Sequence, residues 1–382
     1  EGLIPPENII VWFAQTPLKQ SSSKNEKRQL IAQTLREEVL NSLNPDIVLL
    51  TSLFEGFGDD AATSVKKINN NFQTAVILYD LIPYIYKEEY LSHEIVKKYY
   101  LSKIEYLKKA DILFAISESS KQEVIKYLDF DADKVTNISS AVSDNFRPKI
   151  LSVHQKQRLY FRYNINKKFL MYAPGGFDYR KNVDTLLEAY AALPAHVRQN
   201  YQLLIASKIN EDKAQHIREV ASSLKIKEDE LILAGYIPDD DLIDLYNLTS
   251  LFVFPSLHEG FGLPVLEAMC CGAAVIGSKT SSIPEVIARE QSLFDPRSST
   301  ELTALIVKIL ESTHLLQELK QHSLKQALNF SWDKSAKILL EVLHSKIEPK
   351  EQLSKQATQN LKSFTNFMED KKLLNEELVT LA

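Results

Sequence analysis

Two carboxylates in one short segment carry the most specific chemistry of this chain. They are Glu259 and Glu267, within Phe254-Pro255-Ser256-Leu257-His258-Glu259-Gly260-Phe261-Gly262-Leu263-Pro264-Val265-Leu266-Glu267-Ala268-Met269. Pro264 fits the first turn of a helix, where its missing N–H costs nothing, so the loop 259–263 runs into a helix N-terminus. Such a terminus presents free N–H groups and a positive partial charge. It is a ready seat for a phosphate or for the oxygens of a sugar. Carboxylates beside that seat suit one purpose, accepting hydrogen bonds from ligand hydroxyls. A second constellation lies upstream, in Gly175-Gly176-Phe177-Asp178-Tyr179-Arg180-Lys181-Asn182. Two glycines let backbone approach a ligand closely, and Arg180 and Lys181 follow them. An Arg-Lys pair alone is an ordinary solvated helix start. Behind a glycine pair at a strand end it reads as part of a ligand site instead. Arg offers a bidentate fork and Lys a point charge. Asp80, in Tyr79-Asp80-Leu81-Ile82-Pro83, follows another apolar run.

These residues need a scaffold that gathers loops along one edge. Apolar runs at 9–14, 46–51, 74–79 and 110–117 read as strands buried on both faces, with helical patterns at 26–42, 93–108 and 119–127 between them. Such alternation makes a parallel α/β sheet. A polar stretch, 143–168, interrupts the pattern as a domain connection. A second series follows, with strands at 169–173, 201–206, 231–235, 250–255, 273–277 and 292–294, and helices at 182–193, 239–248, 264–271 and 301–311. The expected class is α/β, two doubly wound Rossmann-like domains facing a cleft, since ligands of such sheets bind outside the strands' carboxyl ends. Residues 1–150 would form the first domain and 151–346 the second. Residues 347–382, which lack glycine and proline from 350 onward, read as a helical tail or connector.

The chain has 382 residues, 45% of them hydrophobic and 25% charged, as in an ordinary globular protein with room for two cores. A net charge of −5 and a pI near 6.0 argue against general nucleic-acid binding. No run approaches the ~18 apolar residues of a membrane span. Cys270 and Cys271 are adjacent and form no disulfide framework, which fits a reducing compartment. The eight histidines are scattered without paired ligand spacing. Of only ten glycines, seven stand at predicted strand ends: Gly56, Gly58, Gly175, Gly176, Gly235, Gly260 and Gly262. That placement favours ligand loops over linkers.

The segment 254–269 resembles the nucleotide-sugar-binding core of the retaining GT-B glycosyltransferases of family 4. The loop 175–182, Ala234-Gly235-Tyr236-Ile237, Ser281-Ser282-Ile283-Pro284-Glu285-Val286, Phe330-Ser331-Trp332, the Tyr79–Pro83 motif and Ile116-Ser117-Glu118-Ser119-Ser120 extend the resemblance over about residues 45–346. It is closest to bacterial polysaccharide and O-antigen transferases of the mannosyl- or rhamnosyltransferase kind. The resemblance implies that Arg180 and Lys181 neutralise the donor diphosphate and that Glu267 binds the ribose hydroxyls. Glu259 would stand beside the transferred sugar, which the backbone of Gly260, Phe261, Gly262 and Leu263 contacts. Gly175 and Gly176 would line the donor loop, Ile237 would hold the base through its main chain, and Lys208 would reach the phosphates. Asp80 would face the acceptor. Relatives carry an arginine directly after the first glycine of the 175–182 loop. Here Gly176 stands there, so either Arg180 substitutes or one phosphate contact is missing. Relatives often have His-Asp where this chain has Tyr79-Asp80, which leaves the histidine's role without a bearer.

The reaction so implied is metal-independent, same-face transfer of a glycosyl unit from a donor such as GDP-mannose, a UDP-sugar or dTDP-rhamnose to a saccharide or lipid-linked saccharide. The leaving diphosphate would help deprotonate the acceptor. Localisation would be cytoplasmic, at most peripheral to the inner face of the membrane, with Tyr84, Tyr86, Tyr90 and nearby lysines as a membrane-facing candidate. The strand, glycine loop and helix that open the family's first domain are not found, so that domain is expected to be incomplete and the chain part of a longer polypeptide. Two rival readings are a catalytically silent GT-B module that scaffolds further domains and another GT-B sugar-nucleotide enzyme.

Overall fold

A computed structural model of the protein describes residues 3–68 and 71–347. The two series become two all-parallel sheets. The first holds β1 (Ile47–Leu50), β2 (Gln73–Leu78), β3 (Ile112–Ala115) and β4 (Val135–Asn137), in that order across the sheet. Around it lie α1 (Glu26–Ser42), the single turns α2 (Ile82–Ile85) and α3 (Lys87–Tyr90), α4 (Glu94–Leu107) and α5 (Glu118–Leu128). The second holds β5 (Lys168–Tyr172), β6 (Tyr201–Ile205), β7 (Leu231–Leu233), β8 (Leu251–Phe254), β9 (Val275–Ser278) and β10 (Leu293–Phe294), in spatial order β10-β9-β8-β5-β6-β7. Its helices are α6 (Val153–Arg162), α7 (Val183–Ala191), α8 (Ala195–Arg198), α9 (Glu211–Ser223), α10 (Asp239–Leu248), α11 (Leu263–Cys270), α12 (Ile283–Ile287), α13 (Ser299–Leu310), α14 (Thr313–Ala327) and α15 (Trp332–Lys346).

The second sheet doubles back. The chain leaves β5 for β6 and β7, then returns to lay β8 on the other side of β5. The loops after β5 and β8 therefore depart in opposite directions and open a crevice at the strands' carboxyl ends. Leu170, Met171, Tyr172, Leu251, Phe252, Val253 and Phe254 are fully buried, as strands covered on both faces must be. Across this pair the rings of Tyr172 and Phe254 meet edge-on at 5.9 Å. The first sheet runs in one direction without reversal, and its edge strand β1 is only partly buried through Ile47, Val48 and Leu49. The two halves are tied by α15, whose Ile338, Leu339, Val342 and Leu343 pack on Ala75, Ile112, Phe114 and Ile138 of the first sheet's core.

Residues 9–14 depart from expectation and form no strand. Ile9, Ile10, Val11 and Phe13 are more than half exposed. Their composition favours extended chain, but a strand also needs a neighbour's backbone groups. The stretch 143–168 is more than a connection, because it contains α6, closed by a capping box of Ser152 and Gln155 and anchored by the buried Leu159. The strand β4 has three residues, too few to stand out as an apolar run. The helical tail expected over residues 347–382 lies, from residue 348 onward, outside the described residues. Among the described residues, no helix is long and apolar enough to cross a membrane.

Candidate active site

The loops after β5 and β8 meet at the crevice and lock together. The Leu257 N–H donates to Arg180 O at 2.7 Å, and the Asn182 amide donates to Pro255 O at 2.9 Å and Pro296 O at 2.7 Å. Asn182 takes a left-handed backbone, φ 56°, ending the tight turn Tyr179–Lys181 and starting α7. Asp178 caps that turn by accepting from the Arg180 N–H. The turn thereby presents Arg180 and Lys181 to the β8 loop, where Glu259 takes both. Its Oε2 accepts from Arg180 Nη1 at 2.6 Å and its Oε1 from Lys181 Nζ at 2.7 Å. Arg180 also donates to His258 O at 3.0 Å, and its Nε lies 3.4 Å from Asp178.

Lys181 and Glu259 are only 6% and 8% exposed. Two cations against one carboxylate leave this cluster a positive charge in excess, balanced from the half-exposed rim by Asp178. Burial pulls the Lys181 ammonium below its ordinary range, with Glu259 opposing. Burial works on Arg180 in the same sense, but the charges of Glu259 and Asp178 outweigh it and hold the guanidinium above its ordinary range. Buried charges are costly unless paired. Two cations gathered at a switch point, despite that cost, are suited to receiving an anion.

Glu267 stands apart from this trio, on α11. Its Oε2 accepts from the Tyr246 hydroxyl of α10 at 2.9 Å. Burial raises its carboxyl above the usual range, and Tyr246 opposes that shift. Tyr246, almost fully buried, was not legible as part of a site, since its partner lies 21 residues away and no local spacing marks the pair. Three hydroxyls that bracket the β8 loop were likewise unassigned. Ser281 Oγ accepts from the Glu259 N–H at 2.9 Å, Ser282 Oγ donates to Glu259 O at 3.0 Å, and Thr280 Oγ1 donates to Leu257 O at 3.0 Å.

Gly260 packs tightly against the loop after β2 of the first sheet. A Cβ there would meet Tyr79 O at 2.9 Å and Asp80 Cβ at 3.1 Å. Asp80 thus faces the β8 loop across the cleft, accepting from the Ile82 N–H at 2.9 Å. Burial raises its carboxyl, against the pull of Ile82 and Arg180. Gly262 has φ +99°, and a Cβ on it would stand 2.6 Å from Ile283. Phe261 is buried, with its ring edge-on to Phe330 at 5.7 Å, and the half-exposed Leu263 opens α11. Gly175 and Gly176 turn the β5 loop with positive φ. Ile237, after β7, sends its side chain into the second core. Lys208, after β6, is exposed and stands apart from the hydrogen-bonded cluster. Burial pushes the thiols of Cys270 and Cys271 up to about 11 and about 12, so neither is a nucleophile near neutral pH. Among the described residues, no group of three or more His, Cys, Asp or Glu could hold a metal ion.

Residues 155–326, which carry both site loops, match the model of the family "Glycosyl transferases group 1". The serotype-specific mannosyltransferase WbdA of Escherichia coli is 39% identical over 339 residues, 89% of this chain and 42% of that protein. The O-antigen chain mannosyltransferase B of Escherichia coli is 32% identical over 235 residues, 60% of this chain and 59% of that protein. Anabaena HepE, solved in complex with UDP and glucose, superposes with a TM-score of 0.66 at 16% identity, over 87% of this chain and 85% of that one. The architecture is GT-B, and residues 155–326 form a group 1 glycosyl transferase region. It spans less than half the length of the WbdA relatives that it matches.

Proposed function

We propose that this chain transfers a glycosyl unit, mannosyl in the first instance, from a nucleotide diphosphate sugar to a saccharide or lipid-linked saccharide during assembly of a surface polysaccharide. One observation carries the reading: Arg180 and Lys181 converge on Glu259 at the β5/β8 switch point. The mannosyl assignment draws on the similarity to WbdA and to the O-antigen chain mannosyltransferase.

In this reading Arg180 and Lys181 turn from Glu259 to the donor diphosphate and meet the charge that grows as the glycosidic bond breaks. Glu259, released from one or both cations, accepts from a hydroxyl of the transferred sugar. The backbone of Gly260, Phe261, Gly262 and Leu263 lines that sugar. Glu267, held by Tyr246, takes the ribose hydroxyls, with Gly175 and Gly176 beside the phosphates and the main chain of Ile237 at the base. Lys208 supplies an outer phosphate contact. Asp80 faces the acceptor from the first sheet. Transfer proceeds on one face with retention and without a metal, and the departing diphosphate takes the acceptor proton. Residues 1–150 serve the acceptor and 151–346 the donor, on the cytoplasmic side of a membrane that the protein touches at most peripherally.

The test is transfer from GDP-mannose to a mannoside acceptor by the full chain, with product configuration read by NMR. The reading expects an α-linked product from the α-configured donor and loss of transfer in Lys181→Ala. Undiminished transfer in Lys181→Ala and Glu259→Ala together would overturn the site assignment.

A further inference from the structure

The N-terminal turn of α5, in the first half of the chain, is capped from the second half. The Glu118 N–H donates to Glu285 Oε2 at 2.9 Å and the Ser119 N–H to Glu285 Oε1 at 3.2 Å. The third amide, of Ser120, is satisfied locally by Ser117 Oγ at 2.9 Å. The first amides of a helix have no intrahelical acceptor, and a carboxylate placed there also meets the positive end of the helix dipole. Glu285 does this from a distance of 167 residues in sequence. Burial raises its carboxyl, and the two N–H donors oppose that shift.

The same turn of α5 reaches the β8 loop by two further contacts. Ser120 Oγ, fully buried, donates to Tyr79 O at 2.8 Å and lies 3.2 Å from Gly260 O as a second acceptor. One turn on, Glu123 Oε1 lies 2.9 Å from His258 Nε2, and the His258 ring stands edge-on to Tyr86 at 5.6 Å. Glu285 itself sits on a rigid mount. The side chains of Ile283, Val286 and Ile287 are buried, and α12 packs so closely on β9 that a Cβ on Gly277 would meet Ile283 at 2.7 Å. Just before α12, Ser281 and Ser282 hold both backbone groups of Glu259. One short element thus grips Glu259 at one end and α5 at the other.

We propose that Glu285 is a positioning residue for transfer: by tying α5 to α12 it sets the first sheet, with Asp80, at a fixed distance from the Glu259–Gly260 loop. This rests on the reading that the donor binds at Arg180, Lys181 and Glu259 and the acceptor enters from the first sheet. The diphosphate contacts all lie in the second half, so Glu285 acts on alignment of donor and acceptor and leaves donor affinity alone. Misplacement of reacting groups by about 1 Å is enough to cost on the order of 100-fold in rate.

The experiment compares wild type, Glu285→Ala and Glu285→Gln in the full chain by three readouts: amide exchange at Glu118 and Ser119, GDP affinity, and kcat and KM for transfer from GDP-mannose. In Glu285→Ala the two amides should exchange at least about 10-fold faster, as an unpaired helix terminus does, while those of the later turns of α5 keep their protection. GDP affinity should stay within about 2-fold, and kcat should fall about 10- to 100-fold. Glu285→Gln, which keeps a carbonyl acceptor, should lie between. Unchanged exchange at both amides would overturn the tie, and an unchanged kcat with lost protection would overturn the positioning role. A wild type that binds no nucleoside diphosphate would sink the donor-site reading instead, and the exchange readout would still decide whether Glu285 holds α5.

Discussion

Each half of the molecule buries a lysine, and the two are treated in opposite ways. Lys103, on α4 beside the first sheet, is fully buried and donates to Thr63 O at 3.1 Å and Thr63 Oγ1 at 2.6 Å. Burial, helped by the nearby Arg36 and opposed by Asp59 and Glu55, pulls its ammonium down to about 7. Lys181, at the crevice of the second sheet, keeps a carboxylate at 2.7 Å and an arginine beside it. The first site gives its lysine neutral hydrogen-bond partners, whereas the second pairs its lysine with a carboxylate that opposes the downward pull burial exerts on both ammoniums. A buried cation is a sign of function when the fold pairs it at a strand end, and a packing solution when its partners are neutral. The sheets differ in the same sense. The second reverses direction at β5 and β8 and so makes a crevice, while the first never reverses.

The sharpest way to break this comparison is to remove the carboxylate that distinguishes the two lysines. Glu259→Ala should lower kcat/KM for glycosyl transfer about 1,000-fold, since in the proposed reading it removes a contact to the reacting sugar, and it leaves the buried Lys181 without its carboxylate. Loss of less than about 10-fold would place Glu259 outside the reaction. Next in size is the contrast in burial between the sheets. Leu251→Ala, in the fully buried β8, should cost about 2–5 kcal/mol in chemical denaturation. Leu49→Ala, in the partly buried β1, should cost under about 2 kcal/mol. Equal losses would show that Leu49 is packed as tightly as Leu251.

Smaller effects separate the two carboxylates of the second half. Glu267→Ala should raise the donor KM about 10-fold with a lesser change in kcat, and Tyr246→Phe about 3-fold, the effect of one hydrogen bond. Steady-state kinetics against donor concentration reads both, and a pure kcat effect would move Glu267 from binding to chemistry. The smallest prediction concerns Lys103 and pH. Its folded-state pKa lies below its unfolded value, so between about 7 and 10.5 the unfolded chain binds the extra proton and stability rises with pH. The advantage of wild type over Lys103→Met should therefore grow as pH rises from 7 to 9, by at most about 1.4 kcal/mol per unit. A constant difference across that range would show Lys103 to be charged in the folded state.

The fold was readable where strands are continuous apolar runs. The strands β2, β3, β5, β6 and β8 lie within a residue or two of the runs that announce them, because both faces of the sheet are covered and most of their positions are apolar. Residues 9–14 have the same composition and no strand, since composition cannot tell whether a pairing edge is present. At the site, the β5 and β8 loops were readable because glycines, charges and Pro264 stand at fixed offsets from strand ends. Tyr246, Ser281, Ser282 and Glu285 were quoted without a role or passed over. Their partners are long-range backbone groups and carboxylates, and nothing in local spacing announces a contact that only tertiary packing creates.

The most direct test of the central claim is isothermal titration of GDP, UDP and dTDP into wild type and Lys181→Ala. The arrangement of Arg180, Lys181 and Glu259 predicts one site per chain for at least one of the three, weakened about 10-fold or more by Lys181→Ala and weakened further by salt. Absence of binding by all three, or equal binding by wild type and Lys181→Ala, would contradict it.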